Sequence, residues 1–574
     1  MASLTRPDRY RLRPLLVAGL ASLVAWTELY FLLFSHTFWG APTLIPDRWP
    51  QVFGPFEARL PWAWVHAHRD QLLGLTNAGI WLGLMAMLFA AWIWAWRAAE
   101  RIPGDDPGIA REGGRIVLVG VVCFSAILVL APSMTSSDVF SYIWYGKMAG
   151  IYQLSPFTHT PNNFAYQDTY GWLQWVYWKD QPTVYGPVWV GIAGLLARLA
   201  QALDGDIVTY LLTHRVLAAV LHLANTALVW SLAGKLGPRT AGARLAATVF
   251  YGWCPLVVWE FAGSAHNDVM MIFFILAGLW CHQRGTGSPG RNLWWQAAIG
   301  ALVLAGLVKA IAFVLIPAYL LLVWRDVRGA HPWWQRAAVA AQVGGITVGL
   351  GALLYWPYWQ GLATLRALLI APGNERSINS LGDVLRFRTP EILYWLGNIF
   401  APGQMGPWAI GVIGDSMEGW LRPLLTAVAG ALVLALTWQA RDTRTLVRGW
   451  GWLLVAYLLI GAMWFWPWYV TWFLPMAALL GPGRLRNAGV LYAIGGLALY
   501  ALAPTLAAPL DGLEGYVPLI CFGPVAAYLL RAVWQDQRAK RPILAAGAPA
   551  MPAYSRPPIA PRRLGRAGSA PVTD

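Results

Sequence analysis

Four stretches of this sequence place polar side chains where long apolar runs end or are interrupted, and each offers its own chemistry. The first is Ser136-Ser137-Asp138-Val139-Phe140-Ser141-Tyr142-Ile143-Trp144-Tyr145-Gly146-Lys147. Helical spacing puts Asp138, Ser141, Tyr142 and Tyr145 on one face at i, i+3, i+4 and i+7, with Val139, Ile143 and Trp144 turned to lipid or protein. The pattern predicts an amphipathic interfacial helix with one carboxylate, a candidate base, on its polar side. Ser136 capping the helix while Asp138 complements its dipole fits the same spacing.

The second stretch is Trp259-Glu260-Phe261-Ala262-Gly263-Ser264-Ala265-His266-Asn267-Asp268, where an apolar helix gives way before the next run begins at Val269. Consecutive imidazole, amide and carboxylate groups can cap a helix start and bind sugar hydroxyls. Asp268 serving only as the N-cap of the next helix is the plainer alternative. A metal site is disfavoured, because His266 and Asp268 at i, i+2 do not share a helix face. The third feature is Lys309, deep inside an apolar run from 294 to 324, where its side chain cannot snorkel to water. Either one tilted helix buries it in a polar cavity or two half-helices meet near it, and both versions present a cation to an anion. A structural salt bridge to Glu260 or Asp268 is the competing reading. The fourth feature pairs the Tyr185-Gly186-Pro187 turn with the cluster Trp464-Phe465-Trp466-Pro467-Trp468-Tyr469. Interfacial aromatic belts explain most such tryptophans, and sugar stacking is the alternative.

The elements that carry these groups are set by composition. Of 574 residues, 57% are hydrophobic and 12% charged, with a mean hydropathy of +0.49. A soluble domain carries roughly 25% charged residues, so the bilayer must act as solvent. The expected fold class is an all-α polytopic membrane protein of about 11 to 14 transmembrane helices. The four cysteines (Cys123, Cys254, Cys281, Cys521) lie in apolar runs without metal or disulfide spacing and read as packing residues. The 42 Lys and Arg against 27 Asp and Glu give a net charge of +15, placed at chain ends and short connections rather than in a nucleic-acid patch.

The positive-inside rule puts both termini in the cytoplasm and the long loops outside. The resulting division is a basic N-terminus (1–13), three spans (14–131), a first large outer loop with Asp138 (132–185), and a transmembrane core with His266-Asn267-Asp268 and Lys309 (186–357). A second large outer loop (358–418), C-terminal spans (419–534) and a basic cytoplasmic tail (535–574) without helical period, read as disordered, complete it. The first apolar run lacks a small-residue cleavage site and reads as a retained helix. Segment 186–203, interrupted by Arg198, must be partial or re-entrant to keep the basic turn at 235–244 inside. No internal repeat or pair of matching halves is visible, which weakens a transporter reading.

At these residues the sequence resembles the polyprenyl-phosphate-sugar-dependent membrane glycosyltransferases of the GT-C class. It is most similar to the actinobacterial α-1,6-mannosyltransferases that extend lipomannan and lipoarabinomannan cores. The resemblance lies in Ser137-Asp138-Val139-Phe140-Ser141-Tyr142 with Tyr145-Gly146, the Gly150 to Pro156-Phe157 stretch, Tyr185-Gly186-Pro187, His266-Asn267-Asp268 and Leu307-Val308-Lys309, in that order over residues 115 to 325. It implies a GT-C-type bundle with two large extracytoplasmic loops in the plasma membrane, a polyprenyl-phosphate-sugar donor, a glycolipid or glycan acceptor, surrounding membrane lipids and no nucleic acid. The class's acidic catalytic base maps onto Asp138. Many members carry two neighbouring acids; here Ser136 and Ser137 precede a lone Asp138, so a divalent metal is doubtful and no cofactor is expected.

The chemistry converges on the same groups. A polyprenyl phosphate is already a good leaving group, so transfer needs a base for the acceptor hydroxyl, cations for the departing phosphate and exclusion of water. Asp138 is the expected base, Lys309 with Lys147 or Arg376 the expected phosphate partner, and His266, Asn267 and Asp268 the sugar-orienting set, with Tyr142, Tyr145 and Tyr185 lining the substrate. The transferred hexose is expected to be mannose. A lipid-linked sugar flippase or exporter is the alternative, and an envelope scaffold a third reading.

Overall fold

In a computed structural model of the chain, the described residues are 6–35, 44–57, 74–132, 134–168, 171–238, 240–286, 291–328, 332–365, 379–404, 406–462, 464–507 and 518–540. Helices dominate, and the β structure among the described residues is one isolated bridge, Gln360 to Leu362. Among the described residues seven helices are long and apolar enough to cross a membrane, or eight if the bent pair Ala241–Gly252 and Pro255–Gly263 counts as one span. Four shorter apolar helices accompany them. The chain is an all-α polytopic membrane protein. The described residues up to Tyr528 form one compact unit, and those from Leu529 to Lys540 fall outside it.

The first unit opens with α1 (Arg6–Ser35), α2 (Gly74–Glu100) and α3 (Pro107–Val129). Asp106 starts α3 by accepting hydrogen bonds from the Gly108 and Ile109 N–H groups, with Pro107 supplying a preset φ. Two helices too short to cross follow, α4 (Asp138–Gly150) and α5 (Pro187–Leu203). They pack so closely that a Cβ on Gly150 would come 2.2 Å from the Gly194 carbonyl oxygen. Arg198, the residue that interrupts segment 186–203, donates from Nε to the Gly150 carbonyl at 2.8 Å and so satisfies the end of α4.

Next come α6 (Ile207–Leu236), α7 (Ala241–Gly252), α8 (Asp268–Gly285) and α9 (Arg291–Val308). Buried on α6, Arg215 donates to the carbonyls of Val129 at 3.0 Å and Ala131 at 2.7 Å, which ties the end of α3 just ahead of Asp138. The apolar run around Lys309 is broken: Lys309 is extended (φ −149, ψ 119) between α9 and a 3-10 turn, Ala310–Leu315. Thus an 18-residue helix ends there and a 3-10 turn leading into a second helix begins. Gly186 fixes the break, donating its N–H to the Val308 carbonyl at 3.0 Å, and a Cβ at Gly186 would lie 1.9 Å from the Leu307 oxygen. The fold continues through α10 (Ile316–Arg328), α11 (Trp333–Tyr355), α12 (Leu381–Phe400), α13 (Trp408–Trp438), α14 (Thr443–Ala456), α15 (Leu474–Leu480), α16 (Arg484–Ala507) and α17 (Leu519–Lys540).

Candidate active site

Asp138 is the first residue of α4, where Ser136 Oγ accepts its backbone N–H at 3.2 Å. Its carboxylate looks across the bundle: Tyr185 donates its hydroxyl to Oδ2 at 3.4 Å, and His266 Nδ1 lies 3.9 Å from the same oxygen. Burial raises the Asp138 pKa to about 6, opposed by the charge of Lys309 and by hydrogen bonds from Tyr185 and Trp178, and reinforced by Asp268. The helix differs from the amphipathic interfacial one that the spacing predicts. Its apolar and polar faces are both buried, because α5 and the 3-10 turns Pro161–Gln167 and Trp172–Trp175 cover what lipid was expected to touch.

The second stretch turns on irregular backbone. Trp259–Gly263 is a π-helical turn, and Ala265 has a φ of 58°, rare for a residue with a Cβ. Such strain persists where surrounding packing over-determines it, often at functional sites. The wide turn brings Glu260 beneath His266, with Oε2 3.3 Å from Nε2, and Tyr500 donates to the other oxygen at 2.8 Å. His266 stacks on Trp468 with ring centroids 4.0 Å apart. Neither Asn267 nor Asp268 caps α8 through its side chain. Instead Asp268 Oδ1 accepts from Lys309 Nζ at 2.7 Å and from the Trp472 indole N–H.

The salt bridge considered for Lys309 therefore exists, with Asp268 as partner rather than Glu260. The ammonium also lies over the rings of Tyr469 and Trp472, at 4.8 and 5.3 Å. Glu260, Ser264, His266, Asn267 and Asp268 are all fully buried. Among them the Ser264 hydroxyl, both His266 ring nitrogens, both Asn267 amide atoms and one oxygen each of Glu260 and Asp268 make no hydrogen bond. Buried polar atoms are ordinarily paired, so these are the groups of the cluster with hydrogen-bonding capacity to spare. Burial, helped by Lys309, pushes the His266 pKa well below its ordinary value and keeps the ring neutral.

Of the residues singled out by spacing, Asp138, Tyr185, His266, Asp268 and Lys309 meet in one cluster. Tyr142 stands edge-on to Tyr185 at 5.1 Å, and Tyr145 donates to the Gln181 carbonyl at 3.0 Å. Lys147 is not brought to the cluster. Its ammonium lies over Trp144, Tyr152, Trp172 and Tyr210, and burial lowers its pKa. Arg376 lies outside the described residues. Trp472, Tyr500, Trp178 and Arg215 were not singled out; Arg215, a guanidinium inside an apolar run, was the one with a signal in the sequence. Among the described residues no three His, Cys, Asp or Glu side chains are grouped to hold a metal ion.

Comparison with known proteins gives this geometry a context. Residues 48–325 match the family model described as Alpha-(1->6)-mannopyranosyltransferase, N-terminal domain. The match spans 278 of the 574 residues. The matched region runs from before α2 to α10 and holds every cluster residue up to Lys309, while Trp468, Trp472 and Tyr500 come from beyond it. Alpha-(1->6)-mannopyranosyltransferase A of Mycobacterium tuberculosis is 27% identical over 436 residues, covering 73% of this chain and 74% of that protein. Alpha-(1->6)-mannopyranosyltransferase B of Corynebacterium glutamicum is 27% identical over 33% of this chain and 31% of its own length. A probable alpha-(1->6)-mannopyranosyltransferase of Mycolicibacterium smegmatis is 26% identical over 42% of this chain and 45% of its own.

Proposed function

We infer that this protein is a hexosyltransferase that moves mannose from a polyprenyl-phosphate donor to a lipid-linked or envelope glycan acceptor at the outer face of the plasma membrane, with Asp138 as general base and both termini in the cytoplasm. The sugar is supported by the mannosyltransferase relatives. One observation carries the assignment of Asp138: its side chain keeps 13% exposure while Glu260 and Asp268 in the same cluster are closed off. It is the carboxylate that an entering hydroxyl can meet.

In this reading the acceptor hydroxyl gives its proton to Asp138 as its oxygen bonds to the anomeric carbon, and the bond from that carbon to the phosphate oxygen breaks. Lys309 keeps 16% exposure and has three N–H donors, one directed to Asp268, so it can also receive the departing phosphate. Arg376 is proposed as a second cation, and Lys147 is set aside because four aromatic rings surround its ammonium. His266 and Asn267, as closed off as Glu260 and Asp268, meet sugar hydroxyls only when the cluster opens on substrate binding, while Tyr142, Tyr185 and Trp468 exclude water from the oxocarbenium-like sugar. No cofactor is invoked. The test is transfer of radiolabelled mannose from polyprenyl-phosphate-mannose by the purified protein, with chelator present and absent. Label reaching a glycolipid acceptor supports the reading, and donor crossing the bilayer without transfer would support the exporter alternative.

A further inference from the structure

Trp178 connects Asp138 to the protein surface. Its side chain hydrogen-bonds the Asp138 carboxylate. Its ring lies 5.5 Å from that of Trp464 and 4.9 Å from that of Tyr177, which is 59% exposed. Trp178 to Gln181 is a turn, closed by the Gln181 N–H donating to the Trp178 carbonyl at 3.1 Å. It is pinned from two directions. Tyr145 of α4 donates its hydroxyl to the Gln181 carbonyl at 3.0 Å. Asn162 donates its backbone N–H to the Lys179 carbonyl and its side-chain amide to Asp180 Oδ1, each at 2.8 Å. Trp464 and Trp466, just ahead of the 3-10 turn Pro467–Trp472, continue the row with centroids 6.2 Å apart, and Trp466 leads on to Trp468 and the His266 ring. Trp178, Trp464 and Trp466 are each partly exposed.

A membrane-interface belt sets such rings among apolar, lipid-facing neighbours. Here the rim is polar, with Gln174, Lys179 and Asp180 exposed around Trp178. The row also reaches Asp138, whose side chain keeps 13% exposure. Flat rings with a hydrogen-bonding rim match a pyranose, which has an apolar C–H face and hydroxyls along its edge. We propose that Trp178 and Trp464 form a stacking subsite for a sugar unit of the acceptor, seating one of its hydroxyls at Asp138. This rests on Asp138 being the base. The subsite selects a saccharide as acceptor, because a lipid alcohol without a sugar has no C–H face to lay on the rings. Its pinned turn is formed before substrate arrives, so binding spends little on ordering it. Trp178 has two parts: its ring stacks, and its indole N–H orients the carboxylate. Trp464 has only the first. Trp464 also lies beyond residues 48–325, so the subsite joins the matched region to the C-terminal part of the chain.

The experiment follows radiolabelled mannose from polyprenyl-phosphate-mannose to octyl α-mannoside at varied acceptor concentration. It compares detergent-purified wild type, Trp464→Leu, Trp464→Phe, Trp178→Phe and Asp138→Asn. For Trp464→Leu the acceptor KM is expected to rise about three- to tenfold, with kcat and donor KM within about twofold. Trp464→Phe keeps a ring and is expected to recover most of that loss. Trp178→Phe keeps a ring but loses the N–H on Asp138, so its kcat is expected to fall about threefold or more while its acceptor KM rises less than in Trp464→Leu. An unchanged acceptor KM in Trp464→Leu overturns the subsite, and so does a rise confined to donor KM. Lower yield and unfolding temperature with unaltered kinetic constants would return the row to an interfacial belt. The two levels separate cleanly: if wild type labels octyl mannoside and Trp464→Leu matches it, the subsite alone fails. Near-normal transfer by Asp138→Asn overturns the base and the seating of the hydroxyl with it, and wild type that labels no acceptor overturns the transferase reading itself.

Discussion

Lys309 Nζ sits 2.7 Å from Asp268 Oδ1, joining the broken backbone after α9 to the first residue of α8. The pair holds a cation next to a carboxylate whose own burial is complete, and it brings the third sequence feature to the second. Removing one partner of a buried pair leaves the other charge unsatisfied and costs about 3–5 kcal/mol, whereas removing both is far less costly.

That asymmetry separates structure from chemistry at Lys309. Lys309→Met is expected to lower the unfolding temperature and abolish transfer. In Lys309→Met with Asp268→Asn, most of the stability should return while turnover stays low, because the phosphate still lacks its cation. Thermal unfolding in detergent and initial rates read the two effects apart; a double variant with restored turnover would reduce Lys309 to a structural residue.

The position of Asp138 sets a pH dependence. Its pKa is raised to about 6 by burial, and only the ionised carboxylate accepts a proton. Transfer should therefore rise through pH 6 and level off above it, where an ordinary carboxylate would place the limb near about 4. Initial rates between pH 4.5 and 8 at saturating donor test this, and a profile flat down to pH 4.5 contradicts it.

Trp468 supports the His266 ring by stacking at 4.0 Å and is itself stacked on Trp466 at 5.3 Å. An aromatic pair contributes about 0.5–1.5 kcal/mol beyond the area it buries, so Trp468→Phe should keep activity within a few-fold. Trp468→Ala also opens a cavity and is expected to cost about 3–5 kcal/mol in stability. Equal activities for the Phe and Ala variants would count against stacking as what positions His266.

Gly186 is required by close approach rather than by its backbone angles. A methyl group there would lie 1.9 Å from the Leu307 oxygen, so α9 would have to move, and Lys309 with it. Gly186→Ala is expected to lose about 1–3 kcal/mol and most of the transfer activity. Gly523→Ala, which has open space around its added carbon, serves as the neutral comparison.

The all-α membrane class was legible because bilayer burial writes itself into composition, but the count was not: against the expected 11 to 14 spans, seven or eight segments among the described residues have spanning length and apolarity, and the apolar runs at Pro187–Leu203, Leu293–Val308, Ala310–Arg325 and Pro467–Leu480 form shorter helices. The break at Lys309 was legible for the same reason, since a lysine in mid-run is costly unless the backbone or a partner accommodates it. What could not be read was which features meet. Lys309 pairs with Asp268, while Glu260 sits on a π-helical turn at Trp259–Gly263 facing His266 and Tyr500, and no residue type there announces that turn. The burial of α4 escaped prediction because its cover, α5 and two 3-10 turns, is remote in sequence from its own amphipathic pattern. Lys147 looked available for a phosphate because the spacing shows its charge but not the rings of Trp172 and Tyr210 that fold over it.

The most direct test is transfer of radiolabelled mannose from polyprenyl-phosphate-mannose to lipid acceptors in membranes carrying either wild type or Asp138→Asn at matched abundance. Loss of a positioned base typically lowers rates by about 10² to 10⁴. The expected result is robust labelling by wild type and a loss of that size in the variant, with membrane insertion and unfolding temperature preserved. Near-normal labelling by Asp138→Asn would contradict the assignment of Asp138 as the base.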